Sequence, residues 1–488
     1  MKRAGLVTAL LATAFVVIPL TGHAQKKAGA LKLDPQVLTG PKGEKFDGAI
    51  GLLTVPENRN NPNSRLIDLK FAKFNTTSKN PGAPIIYLAG GPGGSGIAAA
   101  RGARFPLFMA MREIGDVIAF DQRGTGASEA STNCTEKFTF APDQPLTREK
   151  ALELFRVQGK ACRDRLIAQG IDLAGYNTNE SADDIEDLRK ALGAPKISLW
   201  GISYGTHLAI ATVRRHESSI DKVILAGVEG PEHTLKLPTT TQKHLDEIDR
   251  RMKLDPELAK LIPSFPAMVK ETLDRVENEP VAVEVADGSG KSTKVVITKF
   301  ALQLMTAFAF GGDEGRLPAL YYGMSKGDFN FPARRWLSLA NGAQAMPSGM
   351  AQMMDCYSGV AKARLARVKA EAKTTFLADA IDFPFPDVCD VWGNPDLGDA
   401  FRKNIKTKVL ALFISGNFDV RTPPSNAEEV RSGFKSSYHL IIDGAVHSDP
   451  LFLSSPKILQ VMLQFMRGEK PETLNISLAP IKFEQVSK

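Results

Sequence analysis

The chain is short of cysteine, of charge runs and of long apolar stretches. Four cysteines stand in 488 residues. No Cys-x-x-Cys spacing occurs among them, so a zinc or thioredoxin-like reading has no footing. Lys and Arg number 61 against 54 Asp and Glu, a net charge of +7. No run of like charge exceeds a pair such as Arg214-Arg215 or Arg334-Arg335. A nucleic-acid footprint is therefore absent, and a mildly basic surface is the simpler reading. No stretch reaches the roughly 20 apolar residues that a transmembrane helix needs. Hydrophobic residues at 43% and charged residues at 24% are ordinary for a globular chain and exclude a disordered or collagen-like one. At roughly 150 residues per domain, the length suggests about three domains or fewer larger ones.

The N-terminus has a charged start, Met1-Lys2-Arg3, an apolar run from Leu6 to Ile18, and then Gly22-His23-Ala24. That order predicts a secretory signal over residues 1–24, removed after Ala24. Export to periplasm or medium explains the cysteines. Cys134, Cys162, Cys356 and Cys389 are an even set, which predicts two disulfides with three possible connectivities. Local pairing, Cys134–Cys162 and Cys356–Cys389, is expected.

Alternating runs at Ala49–Val55 and Leu66–Phe74 predict a hairpin with its loop at Pro56–Ser64. Four short apolar runs follow, at Ile85–Ala89, Val117–Phe120, Ile197–Trp200 and Val223–Ala226. Runs of this kind suit parallel strands buried on both faces. Ser181-Ala182-Asp183-Asp184 reads as a capping box opening a helix that stops at Gly193. The alternation predicts an α/β fold with a parallel sheet. It is lost after Pro231 and returns at Val409–Ile414 and His439–Ile442. Residues 232–403 are therefore expected to be an inserted, mainly helical unit, with 25–231 and 404–488 forming the core around one sheet. Inside the insertion, Gly288-Ser289-Gly290-Lys291-Ser292-Thr293 imitates the end of a P-loop. Val285 occupies the first glycine position and strand-like runs flank it, so a hairpin turn is predicted.

Gly201-Ile202-Ser203-Tyr204-Gly205 follows an apolar strand and opens a helix-like stretch. A sharp strand-to-helix turn would expose the Ser203 hydroxyl above the sheet. Serine is a weak nucleophile and needs a base. Of the seven histidines, His447 alone follows a late strand of the sheet, where a base can reach such a nucleophile. Asp419, just past the preceding strand, is the acid expected to orient it. Asp443, four residues before His447, is the rival. The order Ser203, Asp419, His447 is the one the nucleophile-elbow fold uses. Backbone N–H donors for the developing oxyanion are assigned to Gly91, in the loop Gly90–Gly96, and to Tyr204. This chemistry requires no cofactor and no metal.

Together, Gly90–Gly96 (GGPGGSG), Asp121–Gly126 with Ser128 (DQRGTGxS), Gly201–Thr206 (GISYGT), Asp419 before Thr422-Pro423, and His447 resemble the proline iminopeptidase / tripeptidyl aminopeptidase family of α/β-hydrolases. The resemblance covers about residues 49–231 and 404–465. It implies a mostly parallel, eight-stranded α/β-hydrolase core with a helical cap inserted after the sixth strand. It also implies that Asp121–Ser128 braces the site rather than reacting. Proline iminopeptidases usually carry His before the two glycines, and Ala89 stands here, which moves the likeness towards the secreted tripeptidyl branch. A small peptide substrate with a free ammonium group would then be expected. Glu229 and Glu232, where the cap begins, are the candidate amine ligands. An esterase or amidase with the same triad, and an inactive binding protein of the same fold, are the competing readings.

Overall fold

The computed structural model describes residues 26–286, 292–342 and 346–486. The expected signal, residues 1–24, lies outside them. The strands are β1 (Leu31–Thr39), β2 (Lys45–Pro56), β3 (Leu66–Phe74), β4 (Ile85–Leu88), β5 (Val117–Phe120), β6 (Ile197–Ser203), β7 (Ile220–Val228), β8 (Val281–Ala286), β9 (Ser292–Ile297), β10 (Leu410–Gly416), β11 (Ser437–Asp443) and β12 (Asn475–Ser477). All but β8 and β9 form one sheet in the order β1-β2-β3-β5-β4-β6-β7-β10-β11-β12. The pairs β1·β2, β2·β3 and β3·β5 are antiparallel and every other pair in this sheet is parallel.

The eight expected strands all take their places, but the sheet has ten. β1 alternates Leu31, Leu33 and Val37 with Lys32, Asp34 and Gln36, but Pro35 and the polar, Gly/Pro-punctuated surroundings hide the pattern. It is an exposed edge, paired only with β2, so nothing requires one apolar face. Pro35 is tolerated there because an edge residue can lack a ladder donor. At the other edge, β12 is three residues long and too short to show a period.

The continuous apolar strands are explained by helices on both faces. Ile85 and Tyr87 pack into one layer with Trp200 and Phe108, whereas Ile86 and Leu88 pack into the other with Leu199 and Leu208. One layer is closed by helices such as Pro456–Arg467, the other by Thr178–Ala191 and Tyr204–His216. The helix after β5 and before β6 starts a turn earlier than the Ser181 capping box predicts. Asn177 is its N-cap, accepting from the Glu180 N–H at 3.1 Å. Ser181 cannot cap because it lies inside the helix, where its hydroxyl is buried without a partner. Asp184, expected as the capping acid, is instead an ion-pair partner.

That partner is Arg123, fully buried. Its guanidinium grips Asp184 through two bonds of 2.7 Å and donates to the carbonyls of Glu57 and Gly175. Arg59 reaches the same Asp184 and also Glu180 and Asp187, each at 2.7 Å. The network ties the turn after β2 to the helix Thr178–Ala191.

Between β7 and β10 lie helices including Pro238–Met252, Phe265–Asn278, Gly349–Ser358 and Lys362–Ala372. The antiparallel pair β8·β9 flanks the P-loop imitation, whose residues 287–291 lie outside the described ones. This stretch divides its apolar side chains. Leu245, Val269, Tyr321 and Trp336 belong to a third cluster, while Met350, Met354 and Trp392 join a layer of the sheet. Disulfides Cys134–Cys162 and Cys356–Cys389 form as expected, and both are buried in that same layer. Among the described residues no helix is long and apolar enough to cross a membrane.

Replacing Arg123 by Met should cost about 3–5 kcal/mol, because removing one partner leaves buried charge and carbonyls uncompensated. Urea unfolding followed by circular dichroism measures this. A loss below about 1 kcal/mol, the worth of a surface pair, would remove the network from the account of stability.

Candidate active site

The turn at Ser203 is dictated by two glycines. A Cβ on Gly205 would lie 2.1 Å from the Leu88 carbonyl oxygen, and one on Gly201 would lie 2.5 Å from that of Gly205. Only side-chain-free backbone lets β6 pass so close to the helix it feeds and to β4. The chain must then reverse within one residue, and Ser203 takes φ +54° and ψ −128°. A serine in this left-handed region is strained by roughly 1–3 kcal/mol. The strain lifts its hydroxyl off the sheet edge, at the N-terminus of helix Tyr204–His216.

His447 and Asp419 arrive on the loops after β11 and β10. His447 Nε2 is 3.1 Å from Ser203 Oγ, and Nδ1 is 2.8 Å from Asp419 Oδ2. Asp419 is buried and accepts the N–H groups of Arg421 and Thr422, each at 2.9 Å, on its other oxygen. Thr422 Oγ1 donates to Asp419 and lies 3.0 Å from His447 Nδ1. Burial by itself would raise the Asp419 pKa. The His447 charge and these hydrogen bonds outweigh it and hold the carboxyl below its usual range. Asp443 faces away, bonded to Arg251 and Asn417 at the surface. His207 is buried elsewhere, between the Gly230 carbonyl and Ser358.

The loop after β4 passes directly over the serine. A Cβ on Gly90 would sit 2.9 Å from the Ser203 Cβ. Among the described residues the Gly91 N–H meets no backbone acceptor, and Tyr204 is the first residue of its helix, where an N–H has no intrahelical partner. Both groups are thus left for a ligand. Asp121 braces the loop, accepting from Ser95 Oγ at 2.7 Å, from the Ile97 N–H at 3.0 Å and from the Ala127 N–H at 2.9 Å. The motif Asp121–Ser128 therefore holds the loop in place and does not line the cavity.

A cavity of ≈ 530 Å³ opens above Ser203, lined among others by Gly91, Glu229, Lys236, Arg421 and His447. The two carboxylates expected to bind an amine are separated. Glu229 lines this cavity, but Glu232 lines a different one with Arg402 and Lys362. The chain turns at Gly230-Pro231, and Gly230 N–H bonds to His233, which directs Glu232 away. Glu229 is also not free, since Lys236 Nζ lies 3.1 Å from its Oε2. Sequence reading passes over Thr422, Lys236 and Arg421. Thr422 carries a signal, standing three residues after the acid. Lys236 and Arg421 carry none, because only the folded chain brings them together.

Residues 83–280 match the family of the alpha/beta hydrolase fold. The chain is 31% identical over 185 residues to the hydrolase-named protein YuaR of Escherichia coli (strain K12), covering 36% of each. It is 29% identical over 191 residues to the serine protease Hip1 of Mycobacterium tuberculosis (strain H37Rv), covering 37% of this chain and 36% of Hip1. It is 28% identical over 200 residues to the tripeptidyl aminopeptidase of Streptomyces coelicolor, covering 37% and 35%. The chain thus spans little more than a third of the length of these relatives.

Asp419 links the site to stability. A depressed carboxyl contributes stability above its unfolded pKa of about 3.9, and the contribution is lost as pH falls through the lower folded value. Replacing Asp419 by Asn should flatten the acid limb of stability between about pH 5 and 2. Chemical unfolding of both forms across that range measures it, and parallel limbs would refute the assignment.

Proposed function

We propose that this chain, an α/β-hydrolase, is an exported serine peptidase that releases short peptides from free N-termini through an acyl-enzyme. The observation that carries the reading is the run of contacts from Ser203 Oγ through His447 to Asp419 at 3.1 and 2.8 Å. His447 Nε2 takes the hydroxyl proton as Ser203 Oγ attacks the scissile carbonyl. Asp419 fixes the imidazole tautomer and stabilises the imidazolium that forms. The N–H groups of Gly91 and Tyr204 receive the oxyanion, each donor worth about 2.7–4 kcal/mol of barrier. His447 then returns the proton to the leaving amine, and water, activated by the same base, frees the acyl group from Ser203.

The peptidase reading is supported by relatives named as peptidases. Export is supported by two disulfides, which persist in oxidising compartments. The insertion, residues 232–403, acts in this reading as the cap that limits substrate length. Glu229 is the ammonium ligand through the oxygen not engaged by Lys236.

Ser203→Ala should abolish turnover and covalent labelling by a fluorophosphonate, and Asp419→Asn should lower kcat by about 10⁴. Retained labelling in Ser203→Ala would falsify the nucleophile. A matched pair separates peptidase from esterase or amidase: Ala-Ala-Pro bearing a fluorogenic amide, and its N-acetylated twin. Release from the free peptide alone is expected. Comparable rates, or none from either, would favour an esterase or amidase.

A further inference from the structure

The charges of the Ser203 cavity do not cancel. Arg104 is held by Asp449 at 2.7 Å and Lys236 by Glu229 at 3.1 Å. Arg421, half-buried, lines the same cavity, and among the described residues its guanidinium has no ion-pair or hydrogen-bond partner, only its backbone N–H being engaged. None of the carboxylates that act on it bonds to it, and Asp382 leaves its Oδ2 without a hydrogen-bond partner. Asp419 serves His447 and Thr422. Glu314 accepts the N–H groups of Gly311 and Gly312 and faces His244. Asp382 accepts the Lys236 N–H at 2.8 Å, and burial pushes its carboxyl up to about 7. Burial lowers the Arg421 pKa because these neighbours return too little. The guanidinium nonetheless stays charged at any pH the protein meets.

We propose that Arg421 anchors a carboxylate of the substrate in the cavity that holds Ser203. A half-buried guanidinium without a counter-ion in this cavity is an open partner for an incoming carboxylate, which satisfies the planar fork with two parallel bonds. The position is fixed by the catalytic loop itself. Arg421 lies two residues after Asp419, and its own N–H donates to that carboxylate, so its backbone is tied to the geometry of the acid. The carboxylate belongs either to an acidic side chain or to the free C-terminus of a short peptide. This refines the peptidase reading and rests on it for the choice of substrate.

The test measures binding, so it stands apart from turnover. The full chain carrying Ser203→Ala is titrated calorimetrically with three tripeptides: Ala-Ala-Gln amide, Ala-Ala-Glu amide, and Ala-Ala-Gln with a free C-terminus. One carboxylate-bearing peptide should bind roughly 10- to 100-fold tighter than the neutral amide, the range for hydrogen bonds to a charged group. Which one does so identifies the source. Adding Arg421→Gln should bring all three within about twofold, while Arg421→Lys should keep part of the preference, as a point charge without the fork does. Should Arg421→Gln fail to fold, a reduced preference in Arg421→Lys supports the proposal and an undiminished one overturns it. Equal binding of the three peptides to Ser203→Ala, or a preference that survives Arg421→Gln, also overturns it. If carboxylate-dependent binding holds while the unsubstituted chain cleaves no peptide, the peptidase reading alone fails.

Discussion

The site depends on one close approach, that of the Gly205 backbone to the carbonyl of Leu88. It couples two adjacent parallel strands, β4 and β6, at their C-terminal ends. Any side chain at position 205 would push them apart. With the contact made, the chain has no room to leave β6 except through the turn at Ser203. The same contact puts the loop after β4 within reach of the serine, since that loop starts one residue after Leu88. The placement of Ser203 against the loop that carries Gly91 is therefore set by one packing event in the sheet. The energy that sustains the strained serine comes from burial of both faces of β4, β5, β6 and β7, which the local turn could not provide by itself.

Two buried polar constellations carry this order outward. Asp121 accepts from Ser95 and Ile97 in the loop after β4 and the helix it enters, and from Ala127 in its own turn, so the loop has a fixed path without apolar packing. Arg123, two residues on, clamps the turn after β2 against the helix that precedes β6. Ionic groups buried this fully gain little net energy over apolar packing, because their desolvation is expensive. Their use here is geometric. A carboxylate with three donors, or a guanidinium with one carboxylate and three carbonyls, fits in one arrangement only.

Much of this was legible in the sequence. Six of the eight expected strands announce themselves because burial on two faces demands unbroken apolar runs, and β2 and β3 do so by their alternation. Ser203, Asp419 and His447 could be placed because each follows such a run, and their order along the chain matches the fold. Strand β1 escaped notice because an edge makes no such demand on composition. The helix start at Asn177 was misread because Ser181 and Asp184 mimic a cap, and only the buried Arg123 explains why Asp184 is there. Glu229 and Glu232 looked equivalent as neighbours in sequence, yet a turn at Gly230-Pro231 sends one into the cavity and the other out of it. Arg421 and Lys236 left no trace, since their meaning lies in which charges remain unpaired once distant segments meet.

The separation of the reacting residues along the chain has a consequence for synthesis. Ser203 precedes His447 by 244 residues, and Asp419 and His447 arrive on the loops of β10, which docks against β7, and of β11, which docks against β10. On the proposed mechanism, a ribosome-bound chain carries Ser203, its turn and the loop after β4 for a long interval with no proton acceptor. By that proposed mechanism, a hydrolase assembled in this order stays chemically silent while it is made, and becomes competent only when the last parallel strands close the sheet.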